Sequence, residues 1–370
     1  MNRLPKFPRL QSWLLAGLLL LALAAPAAAA DTLSLTDLAG RQVRVPANPQ
    51  RIVCLGPGCL RLIVYLQAQD KVAGIEGLEK RWPGGRPYYE AHPELGKLPT
   101  ITPGGVPGIN NLPDLEGVLK VRPQVVFVTY MQKDKAQRMQ NLLGIPVVVL
   151  SYGPFASFDK VIYDSLRLAG RILGKGKRAQ AVVDYLEAQQ KELARRGAAV
   201  GKGPGAYVGG IGFKGAHGLE STDPNYLPFR WVGANNLAAR LAKSGHLMVD
   251  KEKLLALNPA YIFLDGGGLI LVAADYAKHP AFYRNLRAFQ KRRVYLLFPF
   301  NWYTTNLGTA LADAYAIGKV LQPKAFVDVD PPAKADEIYT FLNGKPVYAS
   351  MAKRYGPLGG EPPFLSGDKK

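Results

Sequence analysis

Asp114-Leu-Glu-Gly-Val-Leu-Lys-Val-Arg-Pro-Gln-Val-Val-Phe127 aligns without a gap on Asp250-Lys-Glu-Lys-Leu-Leu-Ala-Leu-Asn-Pro-Ala-Tyr-Ile-Phe263, with Asp, Glu, Leu, Pro and Phe at the same offsets. In both copies the Asp is placed to cap a helix. The Glu stands in the first turn, where the helix dipole favours negative charge. The Pro ends the helix just before an apolar run suited to a buried strand. One helix–strand unit used twice, in halves of comparable size, predicts two lobes of one architecture.

The pattern continues outward from both copies. Before the first, Leu33, Leu35, Val43 and Val45 alternate around Ala39-Gly40, which predicts a hairpin over 32–45. Apolar runs at 51–55, 72–75, 125–129 and 147–150 read as buried strands, with helical spacing at 60–67, 114–121 and 133–143. The stretch 76–112 is irregular and rich in Pro and Gly, as functional loops are. In the second half, strands are expected at 206–211, 261–264 and 294–297, and helices at 236–242, 251–257, 282–290 and 304–321. Alternating strands and helices imply an α/β fold with central parallel sheets. Between the halves, Phe158, Val161, Ile162, Ser165, Leu166, Ala169, Ile172 and Leu173 form a helical stripe, and Gly174-Lys175-Gly176-Lys177 should interrupt it. The expected division is a leader over 1–30, an N-terminal lobe over 31–156, a connecting helix over 157–200, a C-terminal lobe over 201–330, and closing helices with a loose tail over 331–370.

The leader reads as a signal peptide. Arg3, Lys6 and Arg9 precede a Leu/Ala run, and Ala28-Ala29-Ala30 offers a cleavage site. No Cys lies beside that site, so a periplasmic protein without a lipid anchor is expected. Loss of Arg3, Lys6 and Arg9 takes the formal charge from +19 to +16. Such a field suits an anionic ligand or is simply a solvated basic surface; scattered charges and export argue against nucleic acid. Cys54 and Cys59 are near enough in sequence for a disulfide, and two buried thiols is the equal alternative. His92, His217, His246 and His279 have no metal-ligand spacing, so no bare-metal site is expected.

Thr36-Asp37-Leu38-Ala39-Gly40-Arg41, Pro46, Pro49-Gln50-Arg51-Ile52-Val53 and the two Asp-x-Glu…Pro units together resemble the helical-backbone periplasmic binding proteins of ABC importers, which include carriers of iron-siderophores, haem and vitamin B12. The resemblance runs over nearly all of the mature chain. It implies two Rossmann-like lobes joined by a long helix, a ligand held between them, no intrinsic cofactor, and a membrane permease as partner. It also implies one surface Glu per lobe for docking that permease, and Glu116 and Glu252 stand at the matching positions. A monomer is expected.

In such a fold, loops at the strand ends supply ligand contacts. Those loops bring forward Arg81, Trp82, Arg86, Tyr88, Tyr130 and Tyr152 in the first lobe, and Phe213, Lys214, His217, Trp231, Asn301, Trp302 and Tyr303 in the second. Aromatic faces beside Arg or Asn suit a bulky, partly anionic metal chelate. An iron chelate is the expected cargo, with a corrinoid or haem as the alternative. An exported enzyme on a small anionic substrate is the rival of another class, but Gly-x-Ser-x-Gly and His-Glu-x-x-His are both absent.

Overall fold

The structure is a computed structural model, and it describes residues 31–82, 84–105, 114–154, 158–198, 203–243 and 245–366. The expected leader, 1–30, lies outside the described residues. No helix among the described residues is long and apolar enough to cross a membrane.

Strands β1 (Thr32–Thr36) and β2 (Gln42–Pro46) form the expected antiparallel hairpin. Its turn is built by Asp37, whose carboxylate accepts from the Ala39 and Arg41 amides at 3.0 and 2.9 Å and pairs with the buried Arg41 guanidinium at 2.7 Å. β3 (Ile52–Leu55), β4 (Val72–Glu76), β5 (Thr100–Thr102), β6 (Val125–Thr129) and β7 (Val147–Leu150) make a parallel sheet in the order β5-β4-β3-β6-β7. The hairpin is spliced to its edge: Leu38 donates to the Val149 carbonyl and the Val149 amide to Asp37.

The second lobe has a smaller sheet. β8 (Ala206–Gly209), with the short antiparallel pair β9 (Ser221–Thr222) and β10 (Leu247–Met248), precedes β11 (Tyr261–Asp265) and β12 (Val294–Leu297). β12, β11 and β8 are parallel, with β11 in the centre.

The repeated unit is the same in both lobes. Asp114 caps the Leu115–Lys120 helix by accepting from the Glu116 and Gly117 amides, and Asp250 caps Lys251–Leu257 through the Lys253 amide. Both units then turn through a left-handed residue placed just before the Pro, Arg122 at φ 46° and Asn258 at φ 39°. The strands that follow, β6 and β11, begin and end at equivalent positions.

The connector consists of two helices, Val161–Ile172 and Gly176–Gly197, packed on each other. The expected break falls at Gly174, which takes φ 69°. The 22-residue second helix spans about 33 Å at the usual rise. Inward-facing strand residues (Ile52, Cys54, Phe127, Phe263, Leu297) join the connector and the C-terminal helices in one core that runs through both lobes. The outward faces (Val53, Val126, Val128 and Ile262, Leu264, Val294) support separate outer layers.

Five expectations need correction. The stretch read as irregular carries the short helices Gly77–Arg81 and Pro87–Ala91, the 3-10 turn Pro93–Lys97 and strand β5. The 282–290 helix is two short ones, Pro280–Arg284 and Arg287–Gln290, preceded by an unforeseen helix Leu269–Lys278. The 236–242 helix is a single tight 3-10 turn, Leu237–Arg240. The 304–321 helix starts at Leu307, because Tyr303 and Thr304 are left-handed. The tail is not loose as far as 366: Gly359 donates to the Leu296 carbonyl and Leu296 to the Gly360 carbonyl, both at 2.8 Å, so the tail pairs with β12. Residues 367–370 lie outside the described residues.

Candidate functional site

The carboxyl ends of β4 and β6 in the first lobe meet the chain that follows β12 in the second: Tyr303 reaches Glu76, and Thr304 reaches Tyr130. There the C-terminal lobe sends residues 301–306 across to the N-terminal lobe. Asn301 and Thr305 close this segment by an antiparallel bridge. Tyr303 and Thr304 take φ 52° and 64° in succession. Left-handed geometry is costly for such side chains and persists only where the surroundings enforce it.

The enforcing contacts come from the first lobe. Arg61, fully buried in the Cys59–Tyr65 helix, donates to the Thr305 carbonyl (2.9 Å), the Trp302 carbonyl (2.9 Å) and the Tyr303 carbonyl (3.1 Å). The hydroxyls of Tyr130 and Thr304 are hydrogen-bonded at 2.8 Å. The Tyr303 hydroxyl donates to Glu76 at 2.7 Å and accepts from the Gly105 amide at 3.1 Å. Burial pushes the Glu76 carboxyl up to about 7, although the bonds from Tyr303 and from the Gly56 amide pull the other way. Burial, and then Glu76 itself, raises the Tyr303 phenol. The floor of the seam is therefore a direct lobe-to-lobe contact.

Above this floor the seam is aromatic and basic. Trp82 of one lobe meets Trp302 of the other edge to face, ring centroids 5.9 Å apart. Trp82 is 47% exposed, with the Arg81 guanidinium 5.3 Å from its ring centre. In the second lobe, in the loop after β8, Phe213 is exposed, Lys214 lies 5.4 Å from its ring centre, and the His246 ring stacks on it at 4.5 Å. His217 bonds the Phe213 carbonyl at 2.8 Å and lies 5.5 Å from His246. Burial and the neighbouring His217 lower the His246 pKa. Among the described residues no group of three His, Cys, Asp or Glu is placed to hold a metal ion.

The expected ligand residues thus divide. Arg81, Trp82, Tyr130, Asn301, Trp302 and Tyr303 gather at the seam, and Phe213, Lys214 and His217 form a separate cluster with His246 in the second lobe. Arg86 and Tyr88 do not face the seam. Both are fully buried and committed to Glu79, which pairs with the Arg86 guanidinium and accepts from the Tyr88 hydroxyl at 2.9 Å. A buried cation needs a partner of opposite charge, so this Arg belongs to the core of the loop. Tyr152 is also buried; it stacks beside Tyr130 and donates to the Gly58 carbonyl at 2.9 Å. Trp231 packs edge to face on Phe158 at 5.7 Å, at the end of a helix that leans on the connector. Cys54 and Cys59 both lie buried in the core of the first lobe.

Arg61, Glu76 and Thr304 were not anticipated. Arg61 had a signal: it is the one charge in Cys59-Leu-Arg-Leu-Ile-Val-Tyr65. Glu76 had a weaker one, as a carboxylate closing the apolar strand Val72–Glu76.

Glu116 and Glu252 both lie on exposed first turns. Glu116 is paired with Lys120 at 2.9 Å, with both side chains more than two-thirds exposed.

Comparison with known proteins gives the same architecture. The molybdate-binding protein MolA of Haemophilus influenzae is 27% identical over 328 residues, which cover 82% of this chain and 89% of that protein. A periplasmic solute-binding protein from Veillonella parvula superposes with a TM-score of 0.70 at 20% identity, over 88% of this chain and 97% of that one. The petrobactin-binding protein YclQ of Bacillus subtilis gives 0.57 at 17% identity, over 79% and 99%. The two structural likenesses show the fold. The periplasmic binding protein family matches residues 52–299, well over half of the sequence, and the chain belongs to that family.

Proposed function

We propose that this protein is the solute-binding component of an ABC importer. It captures an anionic iron chelate at the aromatic mouth of the seam and delivers it to a membrane permease without transforming it. The observation that supports this cargo is the Trp82–Trp302 pair, one indole from each lobe, with Arg81 beside it. Because the floor is closed by direct lobe contacts, a ligand is expected at this mouth. Flat aromatic faces with an adjacent guanidinium suit the organic shell of a chelate and its negative charge. The four His of the sequence have no metal-ligand spacing, which favours recognition of that shell over a bare ion. Export by the 1–30 leader, freedom from a lipid anchor and a monomeric state belong to the same reading.

A second reading has its own support: the relative at 27% identity binds molybdate, and a strongly basic chain suits an oxyanion. Titration of tryptophan fluorescence separates the two. Ferric catecholate or hydroxamate complexes should quench it saturably, and Trp82→Ala should weaken that binding by about tenfold, about 1.4 kcal/mol. Saturation by molybdate or tungstate with no response to ferric complexes would replace the first reading by the second.

A further inference from the structure

Cys54 is the third residue of β3, and Cys59 opens the Cys59–Tyr65 helix. The loop between them doubles back. Gly56 and Gly58 take φ 86° and 77°, and the Cys59 amide donates to the Gly56 carbonyl at 3.2 Å. Both side chains enter the same core, 4% and 0% exposed. Each residue of the loop is also gripped from a different strand end. The Gly56 amide donates to Glu76 (3.1 Å), the Pro57 carbonyl accepts from Thr129 (2.9 Å) and the Gly58 carbonyl accepts from Tyr152 (2.9 Å). The loop abuts the second lobe too: a Cβ on Gly58 would lie 2.7 Å from the Thr304 methyl.

We propose that Cys54 and Cys59 are a dithiol that closes to a disulfide when the chain meets an oxidising compartment, clasping the Gly56-Pro57-Gly58 loop at the foot of the seam. The compartment rests on the proposed periplasmic function; the geometry does not. The loop turns back on itself and both cysteines face one core, the placement that such a bond requires. One cysteine thiolate attacks the disulfide of an external oxidant, a dithiol oxidase or glutathione disulfide, and releases one thiolate from it. The other cysteine thiolate attacks the resulting mixed disulfide at the protein sulfur and releases the second. The pair loses two electrons and two protons, and the oxidant becomes two thiols. Burial, followed by the nearby Cys59, raises the Cys54 thiol well above its usual pKa. Exchange in the folded protein is therefore slow, and the bond forms while the chain folds.

The test has two arms, both on the full chain. In the first, exported protein is acid-quenched, unfolded and treated with N-ethylmaleimide; no adduct is expected before reduction and two after it. In the second, purified protein is unfolded in urea and refolded with reduced and oxidised glutathione; an adduct-free monomer is expected. Two adducts, a glutathione cap or a disulfide dimer in the refolding arm would overturn the pairing. Closure on refolding with free thiols after export would uphold the pair and remove the periplasmic assignment instead. Hydrogen exchange at the Gly56 and Gly58 amides should slow about tenfold on oxidation. Unchanged exchange would overturn the clasp.

Discussion

Two buried carboxyls at strand ends matter through their protonation. Glu76 lies between the lobes, and Asp265 ends β11 with its carboxylate accepting from the Gly267 amide at 2.8 Å. Burial pushes both carboxyls up to about 7. Such a group binds its proton more tightly folded than unfolded. Its contribution to stability is full below the ordinary carboxylate pKa near 4 and is lost as pH rises through about 7. The melting temperature should therefore fall between pH 5 and pH 8. Asp265→Asn keeps the acceptor for Gly267 without the charge, and should flatten that fall by a few kcal/mol. Parallel curves for the two proteins would refute the assignment. The aromatic seam residues were legible in the sequence because Trp and Tyr beside strand-end loops mark clefts. Arg86 and Tyr88 were misplaced because sequence cannot say that Glu79, seven residues before Arg86, turns back to neutralise it. Arg61 went unseen because its partners are backbone carbonyls more than two hundred residues away.

At the scale of elements, the repeated helix–strand unit explains its own boundaries. Asp250→Ala should cost about 1 kcal/mol, because the Lys253 amide loses its cap. At the other end, Asn258 holds a left-handed position and its side-chain oxygen accepts from the Arg287 amide at 2.9 Å; Asn258→Gly relieves the backbone but loses that bond and should cost no more than about 1 kcal/mol, whereas Asn258→Val loses the bond and is strained and should cost more. Chemical denaturation of the three variants checks the order wild type, then Gly and Ala, then Val. This unit was readable because its signals are local: a cap, a dipole charge and a Pro. The same holds for the hairpin, where Asp37 and Arg41 are four residues apart. Elements ruled by distant contacts were misread. The 304–321 helix starts late because Tyr130 and Arg61 hold Thr304 and its neighbours out of helical geometry. The tail pairs with β12, a contact no local pattern announces.

At the scale of the molecule, two lobes share one core. The Pro331–Asn343 helix, from the end of the chain, packs on Leu307–Leu321 of the second lobe and on Cys59–Tyr65 and Pro87–Ala91 of the first. Together with the connector and the Arg61 contacts, this leaves no internal boundary at which one lobe can melt alone. Calorimetry should show a single transition, and two resolved transitions would contradict a common core. A body of this kind presents its surface as a unit, which bears on the two exposed carboxylates. Glu116 and Glu252 repeat at matching positions, one per lobe, and neither is needed by the core. Their helix-dipole role is worth only about 0.3–1 kcal/mol each. If they dock the permease, Glu116→Ala with Glu252→Ala should abolish uptake of the cognate ligand, leave its affinity for the purified protein unchanged, and move the melting temperature by no more than a few degrees. Charge reversal on the permease side should restore uptake to Glu→Arg variants but not to the Ala pair. Full uptake by the double Ala variant would show that docking uses another surface.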